Sequence, residues 1–371
     1  MSYDKIVFDA WLATAEIPYH ILIPLLHRMN GAENIYEAFS KGQNELTAFI
    51  PAVHRKILSE EASSERMDKI QQCLTQCQIR SITILDAEYP LSLRSIEDPP
   101  GILFYRGNPD CLQQKRIVAM IGSRAASYDG LKASRKIARD LSKNGITVVS
   151  GLAYGIDSAC HQGCIDGGSP TIAVMGCGLD QNYPYRNEAL KKEILLHHGM
   201  LLSEYAPFSK AVGYHFPYRN RIISGLSEAV ILMEARIRSG SMTTVDHALR
   251  QGKEVFAYPG DPTSTRTEGN HSLLRDGARY FTQASDILAD MDWLDNLPYV
   301  GQNIECSSEY IPENSAEAAV CNVLSRGTLG FDEIISATGL TPSVLMSTLT
   351  VLQIRSVIEI LPGKKYQIRQ K

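Results

Sequence analysis

Between about residue 112 and residue 290 the chain alternates short apolar runs with segments of helical length, a pattern that few folds accommodate. The runs cover residues 117–121, 147–150, 171–175, 200–203, 229–233 and 255–258, and most close on Gly or Ser. Between them lie segments of helical length such as 129–143, 156–167, 187–198 and 243–252. A strand that is apolar at successive positions, rather than at every second one, is buried on both faces. With helices intervening, such strands predict a parallel sheet covered on both sides, a doubly wound α/β domain. Ligands of these sheets sit beyond the carboxyl ends of the strands, which makes the residue following each run worth reading singly.

The flanks read differently. In residues 1–75 the positions Leu22, Ile23, Leu25, Leu26, Met29, Ile35 and Phe39 fit short helices broken at Asn30-Gly31, as in a small helical-hairpin domain. Residues 76–111 read as a connecting segment with short strands at 82–85 and 102–105, on either side of Pro99-Pro100. The central domain spans 112–290, and 291–314 reads as an acidic, proline-containing linker. In 315–371, helical patterns at 316–324, 331–338 and 342–352 precede strand-like pieces at 357–361 and 366–369. Gly339 suits a helix end, and Thr341 with Pro342 suits a helix start. Three helices and a hairpin predict a winged helix-turn-helix, with Pro362-Gly363-Lys364-Lys365 in the wing.

The formal net charge of −4 argues against a polycation that coats duplex DNA over a wide face. A local basic groove remains open, because phosphate attraction acts over about 8 Å. Lys115, Arg116, Arg124, Lys132, Arg135, Lys136, Arg139 and Lys143 cluster in one stretch, which the wet face of a helix would also produce. The chain has eight cysteines, and its first residues do not read as a secretory signal, so free thiols are expected. Cys73 with Cys77, and Cys160 with Cys164, are spaced for one helix face, but the tight turn of a structural zinc site is missing. No metal and no cofactor is expected. The apolar runs are too short to span a bilayer, and a cytoplasmic protein without membrane contact is expected.

The turns after the strands carry the chemistry. Gly122-Ser123-Arg124 follows the first run, with bare backbone, a hydroxyl and a charge suited to phosphate. Ala125, Ala126 and Ser127 come next, so the dinucleotide fingerprint G-x-G-x-x-G is absent. Ser150-Gly151 opens the second turn, which runs on through Tyr154 to Asp157. Gly176 to Asp180 forms the third, followed by Tyr183-Pro184 and the candidate contact Arg186. Ser239-Gly240-Ser241, with Thr243 and Thr244, stands before the helical segment 243–252. For any one turn, N-capping alone accounts for the composition; together the turns favour an anionic ligand at helix N-termini. The stretch His215-Phe216-Pro217-Tyr218-Arg219-Asn220-Arg221 adds forked donors for phosphate oxygens and a ring for a base. Catalytic signals are thin. Asp157 and His161 are spaced for one face of the predicted helix 156–167, Glu234 ends a strand, and neither Cys177 nor Ser203 has a neighbouring His-carboxylate pair.

Taken in order, Gly122-Ser123-Arg124, Ser150 to Asp157, Gly178-Leu179-Asp180 with Tyr183-Pro184, Ser203-Glu204, Phe216-Pro217 with Arg219-Asn220-Arg221, Ser239-Gly240-Ser241 and Pro259-Gly260 resemble the bacterial DNA-processing protein A family (DprA, also called Smf). The resemblance covers the central domain and fits both flanks. It implies an extended Rossmann-like domain that binds single-stranded DNA in natural transformation, protects incoming strands, helps load the RecA recombinase and commonly dimerises. It further implies that Arg124 and the segment from Phe216 to Arg221 line the strand-binding pocket, with Ser239-Gly240-Ser241 helping to build it. His271 stands where the family usually has Asn, which puts one local hydrogen bond in question. The rival reading is a nucleotide phosphoribohydrolase-like enzyme with Glu234 and Arg219 in the catalytic roles. The Pro-Gly-Gly-x-Gly-Thr turn of those enzymes is missing. The C-terminal helix 342–353 holds no Lys or Arg, so a protein contact there competes with DNA readout.

Overall fold

The computed structural model describes residues 3–42, 49–293, 314–325, 327–354, 357–361 and 365–368. The chain divides into two compact units, Met1–Asn296 and Leu297–Lys371.

The first unit opens with five described helices: α1 (Lys5–Ala13), α2 (Tyr19–Met29), α3 (Ala32–Ser40), α4 (Ala52–Glu61) and α5 (Ser64–Gln76). Asn30 closes α2 in the left-handed conformation, as the Asn30-Gly31 break predicts. Trp11 anchors the group: it is fully buried, its Nε1–H donates to the Leu58 carbonyl at 3.0 Å, and Tyr36 meets it edge-on at 5.0 Å.

There follow β1 (Arg80–Thr83), α6 (Leu91–Arg94), β2 (Ile102–Gly107), β3 (Ile117–Ile121), α7 (Tyr128–Lys143), β4 (Thr147–Ser150), α8 (Ile156–Gly167) and β5 (Thr171–Val174). The unit continues through α9 (Glu188–Leu196), β6 (Met200–Ser203), α10 (His215–Leu226), β7 (Ala229–Leu232), α11 (Gly240–Arg250), β8 (Glu254–Ala257), α12 (Glu268–Arg275), β9 (Arg279–Tyr280) and α13 (Ala284–Asp290). The nine strands form one sheet in the order β1-β2-β6-β5-β4-β3-β7-β8-β9. From β6 to β9 every neighbouring pair is parallel. The chain therefore winds outward from β3 to one side and restarts at β7 on the other, leaving a crevice between β3 and β7.

β1 and β2 do more than connect. They extend the sheet antiparallel, with Phe104 opposite Ser203 and Ser81 opposite Phe104. The backbone of β2 pairs with an edge that β6 would otherwise leave open, and β1 pairs in turn with β2. Within β3, Ile117, Ala119 and Ile121 join the core on one face, while Val118 and Met120 join the core on the other. The first of these cores runs without interruption from Val7 to Leu273, so the N-terminal helices pack into the sheet.

The second unit comprises α14 (Ser315–Leu324), β10 (Leu329–Gly330), α15 (Phe331–Thr338), α16 (Pro342–Ile354), β11 (Ile358–Leu361) and β12 (Lys365–Ile368). Val320, Leu324, Ile334, Leu345, Leu349 and Tyr366 form its core, and the three strands pair in the order β10-β12-β11. This is the expected winged-helix arrangement. The wing residues 362–364 lie outside the described residues. Among the described residues no single helix is long and apolar enough to cross a membrane.

Candidate nucleic-acid interface

A trough of about 460 Å³ opens at the β3/β7 crevice, lined by the turns after both strands, one face of α10 and the start of α11. Its floor is backbone locked to backbone. The Ser123 N–H donates to the Glu234 carbonyl at 2.7 Å, and the Ile156 N–H donates to the Ser123 carbonyl at 3.2 Å. Gly155 sits at φ +82°, and a Cβ there would lie 2.3 Å from the Ser123 oxygen, so only glycine lets these turns meet. Ser241 Oγ donates to the Gly122 carbonyl at 2.8 Å, and Asn220 Nδ2 donates to Thr243 Oγ1 at 3.0 Å. These bonds pin α11 to the first turn and α10 to α11. Gly122, Ser123, Arg124, Phe216, Arg219, Asn220, Ser239, Gly240 and Ser241 all line this one trough.

Arg124 stands exposed beside Phe216, its guanidinium 5.8 Å from the ring centroid. The half-buried Phe216 ring also meets Tyr183 at 5.3 Å. A notch of about 70 Å³ continues between Arg124, Gly151, Tyr154, Tyr183 and Phe216. Arg186 lies at its margin: exposed, 6.0 Å from the Tyr154 centroid, with its backbone N–H 3.3 Å from the Tyr154 hydroxyl.

Arg219 reaches the trough from below. It is buried, and its Nη1 donates to the carbonyls of Gly151, at 3.1 Å, and Val174. Burial pulls its guanidinium down to about 10, against the opposing pull of Asp157. Asp157 is raised by the same burial while Arg219 holds it down. Its Oδ2 accepts from the Gly151 and Ala153 N–H groups at 3.2 and 3.3 Å. Arg219 therefore ties together the ends of β4 and β5 at the trough floor.

Two expected contacts are corrected by the geometry. Arg221 does not share the trough: residues two apart on a helix point to nearly opposite sides. It lies on the far face of α10, with forked bonds to Glu204 at 2.7 and 2.6 Å and a further bond to the Asp98 carbonyl at 2.8 Å. Ser150 is fully buried, and its hydroxyl donates to the Met120 carbonyl at 2.6 Å, tying β4 to β3 instead of facing a ligand. Sequence reading also missed Arg236, exposed in the loop after β7 and lining the trough. It likewise missed Arg266, whose guanidinium caps the Ala125 carbonyl.

The catalytic candidates are occupied with architecture. Glu234 is buried, and its carboxylate accepts the Ser127 N–H at 3.0 Å and the Ser127 hydroxyl, at the N-terminus of α7. His161 is buried against Thr171 Oγ1 at 2.7 Å, and burial together with nearby Arg219 depresses it to about 3. Burial pushes the Cys177 thiol up to about 11. Ser203 Oγ donates to the Cys177 carbonyl at 2.8 Å. His271 Nε2 bonds the Pro259 carbonyl at 2.6 Å, and neighbouring Asn270 serves the Ala235 N–H and the Tyr258 carbonyl, each at 2.8 Å. Among the described residues Cys73, Cys77, Cys111, Cys160, Cys164 and Cys177 are free thiols, and no cluster of three or more His, Cys, Asp or Glu is placed to hold a metal.

Residues 80–292 match the model of the DNA recombination-mediator protein A family, and residues 308–364 match a DprA winged helix domain. The DNA processing protein DprA of Streptococcus pneumoniae is 44% identical over 213 residues, 57% of this chain and 74% of that protein. Protein Smf of Synechocystis is 30% identical over 390 residues, covering 97% of this chain and 98% of that one. The X-ray structure of the Streptococcus pneumoniae protein covers 78% of this chain and 99% of its own at a TM-score of 0.66 and 34% identity. A Helicobacter pylori DNA processing protein A, described for its single-stranded DNA binding mode, covers 58% and 95% at 0.53 and 29% identity.

Proposed function

Starting from the fact that the chain belongs to the DNA-processing protein A (DprA/Smf) family, we propose that it binds single-stranded DNA in the β3/β7 trough during transformation and recombination. The observation that carries this reading is the pairing of a free guanidinium with an aromatic ring at the trough mouth: Arg124 over Phe216, above a floor of fixed backbone. Arg124 and Arg236 would neutralise phosphates, and Phe216 would stack on a base, a contact tolerant of sequence. Arg219 would supply positive potential from below while holding the floor in place. Arg186 beside Tyr154 would meet the strand as it leaves the trough. Following the family, the protein would protect the strand, act as a homodimer and help load RecA.

The phosphoribohydrolase-like alternative has less support, because the Glu234 carboxylate is engaged at the start of α7 and Arg219 donates to backbone carbonyls. Incubation with AMP is expected to release no adenine; release would favour that alternative. The main test compares single-stranded and duplex DNA by gel shift across a salt series. Two phosphate contacts predict a fall of log K with log salt at a slope of about −1.4, from about −0.7 per contact on single strands. Arg124→Ala should flatten it by about 0.7. Equal affinity for duplex, or an unchanged slope in the variant, would overturn the reading.

A further inference from the structure

The far face of α10 borders a second site of opposite character. Tyr214, Tyr218 and Arg221 line a cavity of about 450 Å³ together with Glu16 and Tyr19 at the start of α2, and Tyr205 after β6. It adjoins a space of about 350 Å³ that shares Tyr19, Tyr218 and Arg221 and adds Glu97, Asp98 and Gln251. Glu16, Glu97, Asp98 and Glu204 face these spaces, against Arg221, Arg250 and His247. Arg221 is already matched by its forked bond to Glu204, so acidic charge is in excess.

Asp98 is engaged by the Tyr218 hydroxyl at 2.6 Å and by Arg221 at 3.4 Å, whereas the carboxylates of Glu16 and Glu97 are exposed beside the same two spaces. One face of Tyr218 already carries the Arg221 guanidinium at 3.8 Å, and the Tyr19 ring lies alongside; an aromatic face attracts a cation. Carboxylates repel a phosphate backbone and attract a cation. A planar cation lies flat on a tyrosine ring while its forked donors reach a carboxylate, which favours guanidinium over the compact ammonium group. Pro18, Leu22, Pro99, Pro100 and Ile102 also line the larger cavity, and the half-buried Pro18 and Leu22 offer apolar contact to the residues beside such a cation.

We propose that this tyrosine-lined acidic cavity binds an arginine side chain presented by a peptide segment of a protein partner. The proposal stands on α10's far face and does not depend on DNA binding in the trough.

The test uses the full chain with fluorinated tyrosine, observed by ¹⁹F NMR while three blocked tripeptides are added: acetyl-Leu-Arg-Leu-amide, its citrulline analogue and its glutamate analogue. The arginine peptide is expected to shift the resonances of Tyr19, Tyr214 and Tyr218. Citrulline keeps the shape and loses the charge, and should bind about tenfold more weakly; the glutamate peptide should not bind. Glu16→Gln alters a side chain that is 46% exposed, so the fold is kept, and it should weaken the arginine peptide severalfold. Tyr19→Leu gives a second variant with the same expected direction. Equal binding of citrulline and arginine, indifference to both substitutions, or shifts confined to Tyr154 and Tyr183 beside the trough would each overturn the proposal.

Discussion

Replacing Arg221 with methionine separates what this residue does from what Arg124 does. The guanidinium gives Glu204 two bonds of 2.7 and 2.6 Å, reaches the Asp98 carbonyl at 2.8 Å and lies 3.8 Å from the Tyr218 centroid. Methionine preserves much of the apolar stem but leaves Glu204, whose side chain is only 13% exposed, without its counter-charge. Breaking a buried ion pair from one side costs ~3–5 kcal/mol, because one charge stays stranded away from water. Glu204 keeps some contact with solvent, which places the loss near the low end, about 3 kcal/mol, or roughly a hundredfold in the ratio of folded to unfolded protein. Urea unfolding of the wild type, Arg221→Met, Glu204→Gln and the double variant measures this. The double variant should lose less than the two single losses combined, since neither charge is then left alone. Below the unfolding transition, the salt slope for single-stranded DNA should equal that of the wild type. Retained stability together with a slope flattened by about 0.7 would put Arg221 on a phosphate and refute the assignment of the two faces of α10.

Other outcomes follow from the same geometry. Phe216→Ala should weaken single-strand binding by ~1–3 kcal/mol, about 5- to 150-fold, while Phe216→Trp retains it, as fluorescence titration will read. Gly155→Ala forces a Cβ to 2.3 Å from the Ser123 oxygen at φ +82°, so a loss of at least ~1 kcal/mol in unfolding free energy is expected, together with weaker DNA binding. His161 is depressed to about 3 when folded against 6.5 when free. The unfolded chain therefore takes up a proton first, and stability present above pH 6.5 drains away as pH falls towards 3. His161→Gln removes that dependence, so the stability difference between wild type and variant should shrink over this window in pH-resolved unfolding.

The central strands were legible because burial on both faces leaves a mark that needs no partner: β3, β4 and β6 fall where the apolar runs 117–121, 147–150 and 200–203 lie. α10 was not legible. Nine of its twelve residues are buried, so it lacks the polar stripe that would reveal a helical period, and Pro217 in its first turn reads as a loop signal. Missing that helix is what placed Arg219 and Arg221 side by side, since only the helical twist turns them apart. Ser150 was misjudged for a related reason: a strand-end hydroxyl looks the same in sequence whether it faces a ligand or a neighbouring carbonyl. β1 and β2 were legible as strands, but not as sheet members, because their pairing depends on β6, about a hundred residues away for β2. Arg236 carried a faint signal, a lone cation between the strand-ending Glu234 and the Ser239-Gly240 turn.

The interlocked floor at Ser123, Gly155 and Ile156 has a consequence for selectivity. A base made of mutually bonded peptide groups has little left to rearrange when a guest arrives, so nearly all the ordering falls on the polynucleotide. Strands that already stack upon themselves must give up that order to enter; limp ones need not. Oligothymidylate should accordingly be held more tightly than oligoadenylate of equal length, with no base edge being read at all.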